Sequence, residues 1–231
     1  MDRLIYTSMT GANHTLSQQA TVSHNLANAS TTGFRAENNA FRAVPVFGDG
    51  LPTRAFVVDS TINADFTPGE LQTTGRDLDV AIRGSGWIAV QLDNGEEAYT
   101  RNGSLQGDTG IITIPPETRI TIGTDGTISS VPINPQPNTV ALVGRIKLVD
   151  PPVDKLKKGE DGLFRLKDGG VAQADAKVKL VDGTLEGSNV NVVHEMVSMI
   201  ALARQFDMQM KMLESAERNA QQASEIMVLR A

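Results

Sequence analysis

The 231-residue sequence contains no cysteine. That excludes structural disulfides, thiolate metal sites and cysteine nucleophiles. Aromatic residues make up only 4% of the chain, with one Trp and two Tyr, and there are three His. No apolar run approaches the ~18 residues of a membrane span, and the N-terminus lacks the basic segment and apolar stretch of a secretory signal. The chain is expected to be soluble, or to leave the cytoplasm by another route. No Lys/Arg cluster is present and the net charge is −6 with a pI near 5.1, which argues against nucleic acid as a partner. The most informative absence is local. From Leu4 to Phe34 there is no Asp, Glu, Lys or Arg. A solvated helix normally carries such charges, whereas a helix crowded on all sides avoids the cost of burying them. Asn13, Gln18, Gln19, Asn25 and Asn28 can instead hydrogen-bond to neighbouring helices or line a wet channel.

What is present at the two ends is helical. Ile5, Met9, Ala12, Leu16, Gln19, Ser23 and Leu26 follow one another at alternating spacings of four and three, one stripe with a period of about 3.5. Val192, Met196, Met199, Ala203, Phe206, Met210 and Leu213 keep the same spacing, and it runs on through Glu217 to Met227. Asp207 to Lys211 and Glu214 to Arg218 are acid-first pairs four apart, which support a solvated helical face. Asn191 is suited to cap the C-terminal helix, because its side-chain oxygen can accept from the free N–H groups of the first turn. The N-terminal helix is expected to end near Ser30, with Gly33 at positive φ and Phe34 folding back on the last turn.

Between the helices the period changes. Residues 77–82, 87–92, 112–116, 119–123, 139–149 and 177–181 are short, β-branched and partly alternating, which predicts an antiparallel sheet domain. Asp93-Asn94-Gly95 and Thr124-Asp125-Gly126 are hairpin signals of the two-residue type I′ class. Pro45, Pro52 and Pro68 with Gly48, Gly50 and Gly69 make the preceding segment an extended connector, and 150–170 reads as a similar return path. The chain divides into a helix and turn over 1–35, a connector over 36–74, a β domain over 75–184 and a helix over 185–231. The fold class is α+β, with long terminal helices forming an antiparallel coiled-coil-like pair. Two helices alone bury too little apolar surface to be stable, so other copies or relatives must cover the rest.

Enzymatic sites are poorly supported. Gly84-Ser85-Gly86-Trp87-Ile88-Ala89 matches G-x-G-x-x-A, but a strand and a hairpin follow where a dinucleotide loop needs a helix, so it reads as a β-turn. His14 and His24 are ten apart, without the i, i+4 spacing of a helical metal pair. Asp77 and Asp79 alternate with apolar residues and read as a solvated strand face. No cofactor or metal is expected. The Met-rich stretch, Met196, Met199, Met208, Met210, Met212 and Met227, suits a helix that packs against neighbours in slightly different arrangements.

The residues carry a resemblance. "NLANASTTGFR" (25–35) resembles the N-terminal signature of the flagellar rod and hook proteins. "LEGSNVNVVHEMVSMIALARQFDMQMKML" (185–213) is similar to their C-terminal signature, and residues 75–106 are similar to their first outer β domain. Within the family the ends most resemble proximal-rod members, and the stretch after Gln106 looks shorter by about a hairpin. The resemblance implies a non-catalytic axial subunit of the periplasmic basal-body rod, exported through the flagellar type III apparatus without a cleaved signal. Its implied partners are itself, other proximal and distal rod subunits and that apparatus, with no membrane insertion. The terminal helices would then form a hollow, torque-transmitting shaft. Candidate subunit-interface residues are Ile5, Met9, Ala12, Leu16, Gln19, Asn25, Leu26, Asn28, Phe34, Val192, Met196, Met199, Ala203, Phe206, Met210 and Leu213. A distal rod subunit is one alternative. Another is a glycan-binding β domain on an oligomerising stalk, for which Trp87 and Tyr99 would need to be exposed.

Overall fold

A computed structural model describes residues 4–45, 55–105, 118–132 and 140–228. The expected strand at 112–116, the shortened stretch after Gln106, and Gly48, Gly50 and Pro52 lie outside the described residues. The chain is α+β: helix α1 (Leu4–Ala27), fourteen strands among the described residues, and helix α2 (Val192–Val228). The chain falls into two compact units. One holds α1, α2 and residues 37–65; the other holds residues 28–36 and 66–189.

In the helical unit, α1 and α2 have 24 and 37 residues, so they are about 36 and 56 Å long at 1.5 Å per residue. Asn191 caps α2 as the sequence suggests, its Oδ1 accepting from His194 N at 3.0 Å. Where an extended connector was expected, β1 (Glu37–Pro45) and β2 (Ala55–Ala64) pair as an antiparallel ribbon from Glu37↔Ala64 to Pro45↔Ala55, with a bulge between Ala40 and Phe41. The usual alternation is obscured because β1 turns polar Asn39, not an apolar residue, toward α1.

The β unit is built from antiparallel pairs. β5 (Trp87–Gln91) and β6 (Glu97–Thr100) lie at the centre of a five-stranded sheet, flanked by β10 (Leu148–Val149) on one side and by β12 (Phe164–Leu166) and β11 (Leu156–Lys158) on the other. β7 (Thr118–Ile122), β8 (Thr127–Pro132) and β9 (Ala141–Arg145) form a second sheet. β4 (Val80–Arg83) pairs with β13 (Lys179–Asp182), and β3 (Leu71–Thr73) pairs with β14 (Thr184–Glu186). Val80, Ile82, Ile88, Ile120, Ile122, Ile128, Leu148, Val178 and Leu180 make one apolar core. Phe66, Trp87 and Phe164 stack with ring centroids 4.5–6.0 Å apart. Trp87 and Tyr99 are only 3% and 0% exposed, so neither offers the surface ring that the glycan-binding alternative needs from it.

Three hairpins share one construction. The loops Asp93–Gly95, Thr124–Gly126 and Glu160–Gly162 each close on a pair of residues around three loop residues (Leu92 N to Glu96 O, Gly123 N to Thr127 O, Gly159 N to Leu163 O). Within each loop only the glycine takes positive φ, at 84°, 84° and 78°. These are type I turns followed by a glycine bulge rather than the two-residue type I′ turns expected. The middle residue of each loop, Asn94, Asp125 or Asp161, accepts from the N–H two residues on, at 2.9–3.1 Å. Hydrogen bonds from Thr127 hold the Asp125 carboxyl below its ordinary value, and the Arg165 guanidinium does the same for Asp161. Gly84 and Gly86, with φ of 90° and 117°, turn the chain from β4 to β5, as the strand reading of that motif requires.

Two carboxylates are buried in the β unit, the first of them against the sequence reading. Asp79, expected on a solvated face, is 2% exposed and accepts from Thr74 Oγ1 at 2.7 Å. Glu186, 0% exposed, accepts from Arg35 Nη2 at 2.5 Å, from Arg101 Nη1 at 2.9 Å and from Gly69 N at 2.9 Å. Burial pulls the Arg101 guanidinium below its ordinary value while the Glu186 carboxylate opposes it. Two cations thus share one anion in the interior of the β unit. Nε and Nη1 of Arg35 and Nε of Arg101 have no partner among the described residues.

Candidate functional site

With no charge along α1, its contacts must be made by small and amide side chains. Gly11 lets α2 come close, since a Cβ there would lie 3.0 Å from Gln209 Nε2. Thr15 Oγ1 donates to Gln209 Oε1 at 3.2 Å, and Asn25 Nδ2 donates to Glu195 Oε1 at 3.3 Å. Position 25 meets 195 while position 15 meets 209, so the two helices run antiparallel. Ser8 and Ala12 share the helix face of Gly11 and Thr15 and are equally buried.

The inward row of α2 is Glu195, Met199, Leu202, Phe206, Gln209, Leu213 and Ala216, all partly buried and spaced four and three apart. Only Met199, Phe206 and Leu213 of the expected stripe belong to it. Val192, Met196, Ala203 and Met210 lie on an adjacent exposed face. The expected α1 stripe divides in the same way: Ala12 is buried, Ile5, Gln19 and Leu26 are partly buried, and Met9 and Leu16 are about half exposed. A 3.5-residue period identifies a helix and its apolar content, but it does not choose between adjacent rows when both are apolar.

The amide-rich end of α1 grips the ribbon. Asn25, 1% exposed, donates from Nδ2 to Glu37 O at 2.9 Å and accepts on Oδ1 from Glu37 N at 2.9 Å, as a neighbouring strand would. One turn earlier, Asn39 Nδ2 donates to Thr21 Oγ1 at 2.9 Å. Two turns further back, the His14 and Phe41 rings meet edge to face at 5.6 Å. His24 Nδ1 lies 3.4 Å from Glu37 Oε2. Asn25 therefore joins α1, β1 and α2 within this chain, an amide bonded to a neighbouring helix as the charge-free sequence allows. Asn28 caps the turn that follows α1, accepting from Thr31 Oγ1 at 3.2 Å. Phe34 is buried in the β unit, its ring 4.0 Å beneath Lys158 Nζ. Gly33 next to it has φ 69°, and a Cβ there would lie 2.4 Å from Asn102 N.

These contacts leave two large apolar faces uncovered by the chain's own described residues. On α2, Val193, Met196, Val197 and Ile200 are 71%, 50%, 60% and 57% exposed. Over 192–203 the only Asp, Glu, Lys or Arg is Glu195, which turns inward to Asn25. On α1, Tyr6, Met9 and Leu16 are 62%, 49% and 47% exposed. The four α2 side chains alone present roughly 400 Å² of apolar surface, the size of the largest functional patches on ordinary monomers. Covering it would be worth about 10 kcal/mol before the costs of association. Among the described residues no helix is long and apolar enough to cross a membrane.

Comparison with known proteins fits this arrangement of ends and middle. Residues 5–35 match the family "Flagella basal body rod protein", 81–130 match "Flagellar hook protein FlgE/F/G D1 domain", and 181–226 match "Flagellar basal body rod FlgEFG protein C-terminal". The chain is 48% identical over 248 aligned residues to the flagellar basal-body rod protein FlgF of Escherichia coli, covering 98% of this chain and 99% of that one. It is 47% identical to FlgF of Salmonella typhimurium, with the same coverage, and 33% identical to FlgF of Buchnera aphidicola subsp. Schizaphis graminum, covering 98% of each chain. From both termini inward, the chain belongs to the FlgF family of flagellar basal-body rod proteins.

Proposed function

We propose that this chain is a structural subunit of the proximal flagellar rod, and that it assembles by burying the outward faces of α1 and α2 against neighbouring rod subunits. The helices then pair as a coiled coil within a hollow, torque-bearing wall. The observation that carries this reading is the coincidence of exposure and neutrality. Among the described residues, Tyr6, Met9 and Leu16 on α1 and Val193, Met196, Val197 and Ile200 on α2 are exposed with no Asp, Glu, Lys or Arg among the outward residues around them, while α2 turns polar from Arg204, with Asp207, Lys211, Glu214 and Arg218 all exposed. Charge-free exposed helix is costly to leave in water and well suited to contact with another such surface. Two distinct patches allow heterologous contacts between copies, and heterologous contacts repeat into rings or helical walls rather than closed dimers. The partners in this reading are other copies, other proximal and distal rod subunits, and the type III export apparatus, which would pass the chain without a cleaved signal. The rod is periplasmic, and no membrane insertion is involved.

Leu16→Asp and Ile200→Asp test it. Both positions are about half exposed, so the expected outcome is a chain that folds but is absent from purified basal bodies, with motility lost. Normal motility in both variants would overturn the reading. Circular dichroism of the free chain should also show less helix than the assembled form, because the helices gain much of their stability from neighbours.

A further inference from the structure

The polypeptide passes between the helical unit and the β unit four times, at 27/28, 36/37, 65/66 and 189/190. In the β unit, residues at or next to three of those passages are tied to one another. Asn189 Oδ1 accepts from Ala36 N at 2.7 Å, and its Nδ2 donates to Thr67 O at 3.1 Å and to Thr67 Oγ1 at 3.2 Å. Its main-chain N donates to Phe34 O at 3.4 Å. One layer deeper, Gly33 N donates to Glu186 O at 2.7 Å and Gly187 N to Glu70 O at 2.8 Å. The Glu186 carboxylate joins Arg35, Gly69 N and Arg101 at the same level. The packing is tight enough that a Cβ on Gly69 would lie 2.1 Å from Gly187 O. Segments 33–36, 67–70 and 186–189 thus form one cross-linked bundle, held by one amide at the rim and one carboxylate beneath it.

We infer that this clasp is the torsional joint of the subunit, and that Asn189 is its positioning residue. The inference rests on the rod reading above. A single polypeptide strand leaving a folded unit is a swivel, because φ and ψ rotate freely about it. Three strands tied at one level cannot turn independently, so a twisting load on the chain outside the β unit is carried by all three at once. Asn189 fits the task chemically. Its amide offers an acceptor and two donors in one plane, and all are used on strands other than its own. Neither Asp nor Ala at that position could make the same set. Glu186 supplies the charge-assisted bonds that resist shear below the rim.

The test uses the full-length chain as the sole copy in a flagellated cell, comparing wild type with Asn189→Ala and Thr67→Val, which removes the Oγ1 acceptor and keeps the main-chain O. A core variant, Val178→Ala, is chosen as a stability control because Val178 is buried in the apolar core and is outside the segments 33–36, 67–70 and 186–189. Basal-body content, thermal melting of the purified chain and motor speed against increasing viscous load are measured for each. The expected result is that N189A enters basal bodies at the wild-type level and melts within a few degrees of it, turns normally at low load, and stalls at a load at least two-fold lower. T67V should stall in between, and V178A should keep the wild-type stall load whatever it loses in melting. Equal stall loads for N189A and wild type would overturn the joint, as would a V178A stall load as low as that of N189A. If N189A fails to fold, T67V decides by the same comparison. Absence of the wild-type chain from basal bodies would instead remove the rod reading, and the joint with it.

Discussion

Replacing Glu186 by Gln should be the most damaging near-isosteric change in the β unit. The side chain keeps its shape and one carbonyl oxygen, but the negative charge shared by Arg35 and Arg101 is lost, and those guanidiniums are 1% and 5% exposed. Arg35 already has two nitrogens without a partner among the described residues, so no second acceptor is at hand to compensate. Removing one partner from a buried ion pair typically costs about 3–5 kcal/mol, because the surviving charge is left desolvated. Total stability for a domain of this size is about 5–15 kcal/mol. At about 3–4 °C per kcal/mol, the melting temperature should fall by roughly 10–20 °C. The assay is thermal unfolding of the purified chain, followed by circular dichroism and by Trp87 fluorescence, since Trp87 reports the core directly. The triple change Arg35→Met, Glu186→Leu, Arg101→Met should recover most of the loss, because removing all three charges also removes their desolvation. A melting temperature for E186Q within 2 °C of wild type would refute the reasoning and mean that water reaches the two arginines.

Gly103→Ala should be incompatible with the fold, because a Cβ there would lie 1.7 Å from Val80 O; a loss of more than about 3 kcal/mol in urea unfolding is expected. Asn25→Ala removes both hydrogen bonds to the Glu37 main chain and should speed amide exchange at Glu37 by at least ~30-fold, equivalent to about 2 kcal/mol. Asn25→Asp should be no better, because it sets a carboxylate beside Glu195. Asp161 titrates below its ordinary 3.8 in the folded chain, so its contribution is present above the unfolded value and vanishes as pH falls through the folded one. Asp161→Asn should therefore lose a few tenths of a kcal/mol at pH 7 and progressively less as pH falls below 3.8, the Arg165 pair being partly exposed and screened.

Much of this molecule was legible in its sequence because the signals were local. The two helices, the Asn191 cap, positive φ at Gly33 and most of the core strands follow from period, capping and turn chemistry. What escaped was set by partners distant in sequence. The ribbon of strands 37–45 and 55–64 does not show in the sequence because polar Asn39 and the Glu37 main chain, alongside Phe41, face α1 and leave no alternating apolar pattern. Asp79 reads as solvated from its alternation, and only the fold brings Thr74 and burial to it. The third bulged hairpin did have a signal, Glu160-Asp161-Gly162, with the same Asx-Gly pair as the two that were read. Of the candidate interface, the helices were found but the rows were not resolved. Asn25 and Phe34 spend their contacts inside the chain, and Val193, Val197 and Ile200 form the larger share of the exposed face.

The absence of cysteine makes the decisive measurement simple. Single variants Leu16→Cys, Ile200→Cys and, on an exposed β-unit loop, Asp93→Cys can each be treated with a maleimide, as free chain and in purified basal bodies. Burial of the outward helix faces in the rod predicts that positions 16 and 200 react freely in the isolated chain and at least ten-fold more slowly after assembly, with position 93 open in both. Equal reaction at 16 and 200 in both forms would contradict the account.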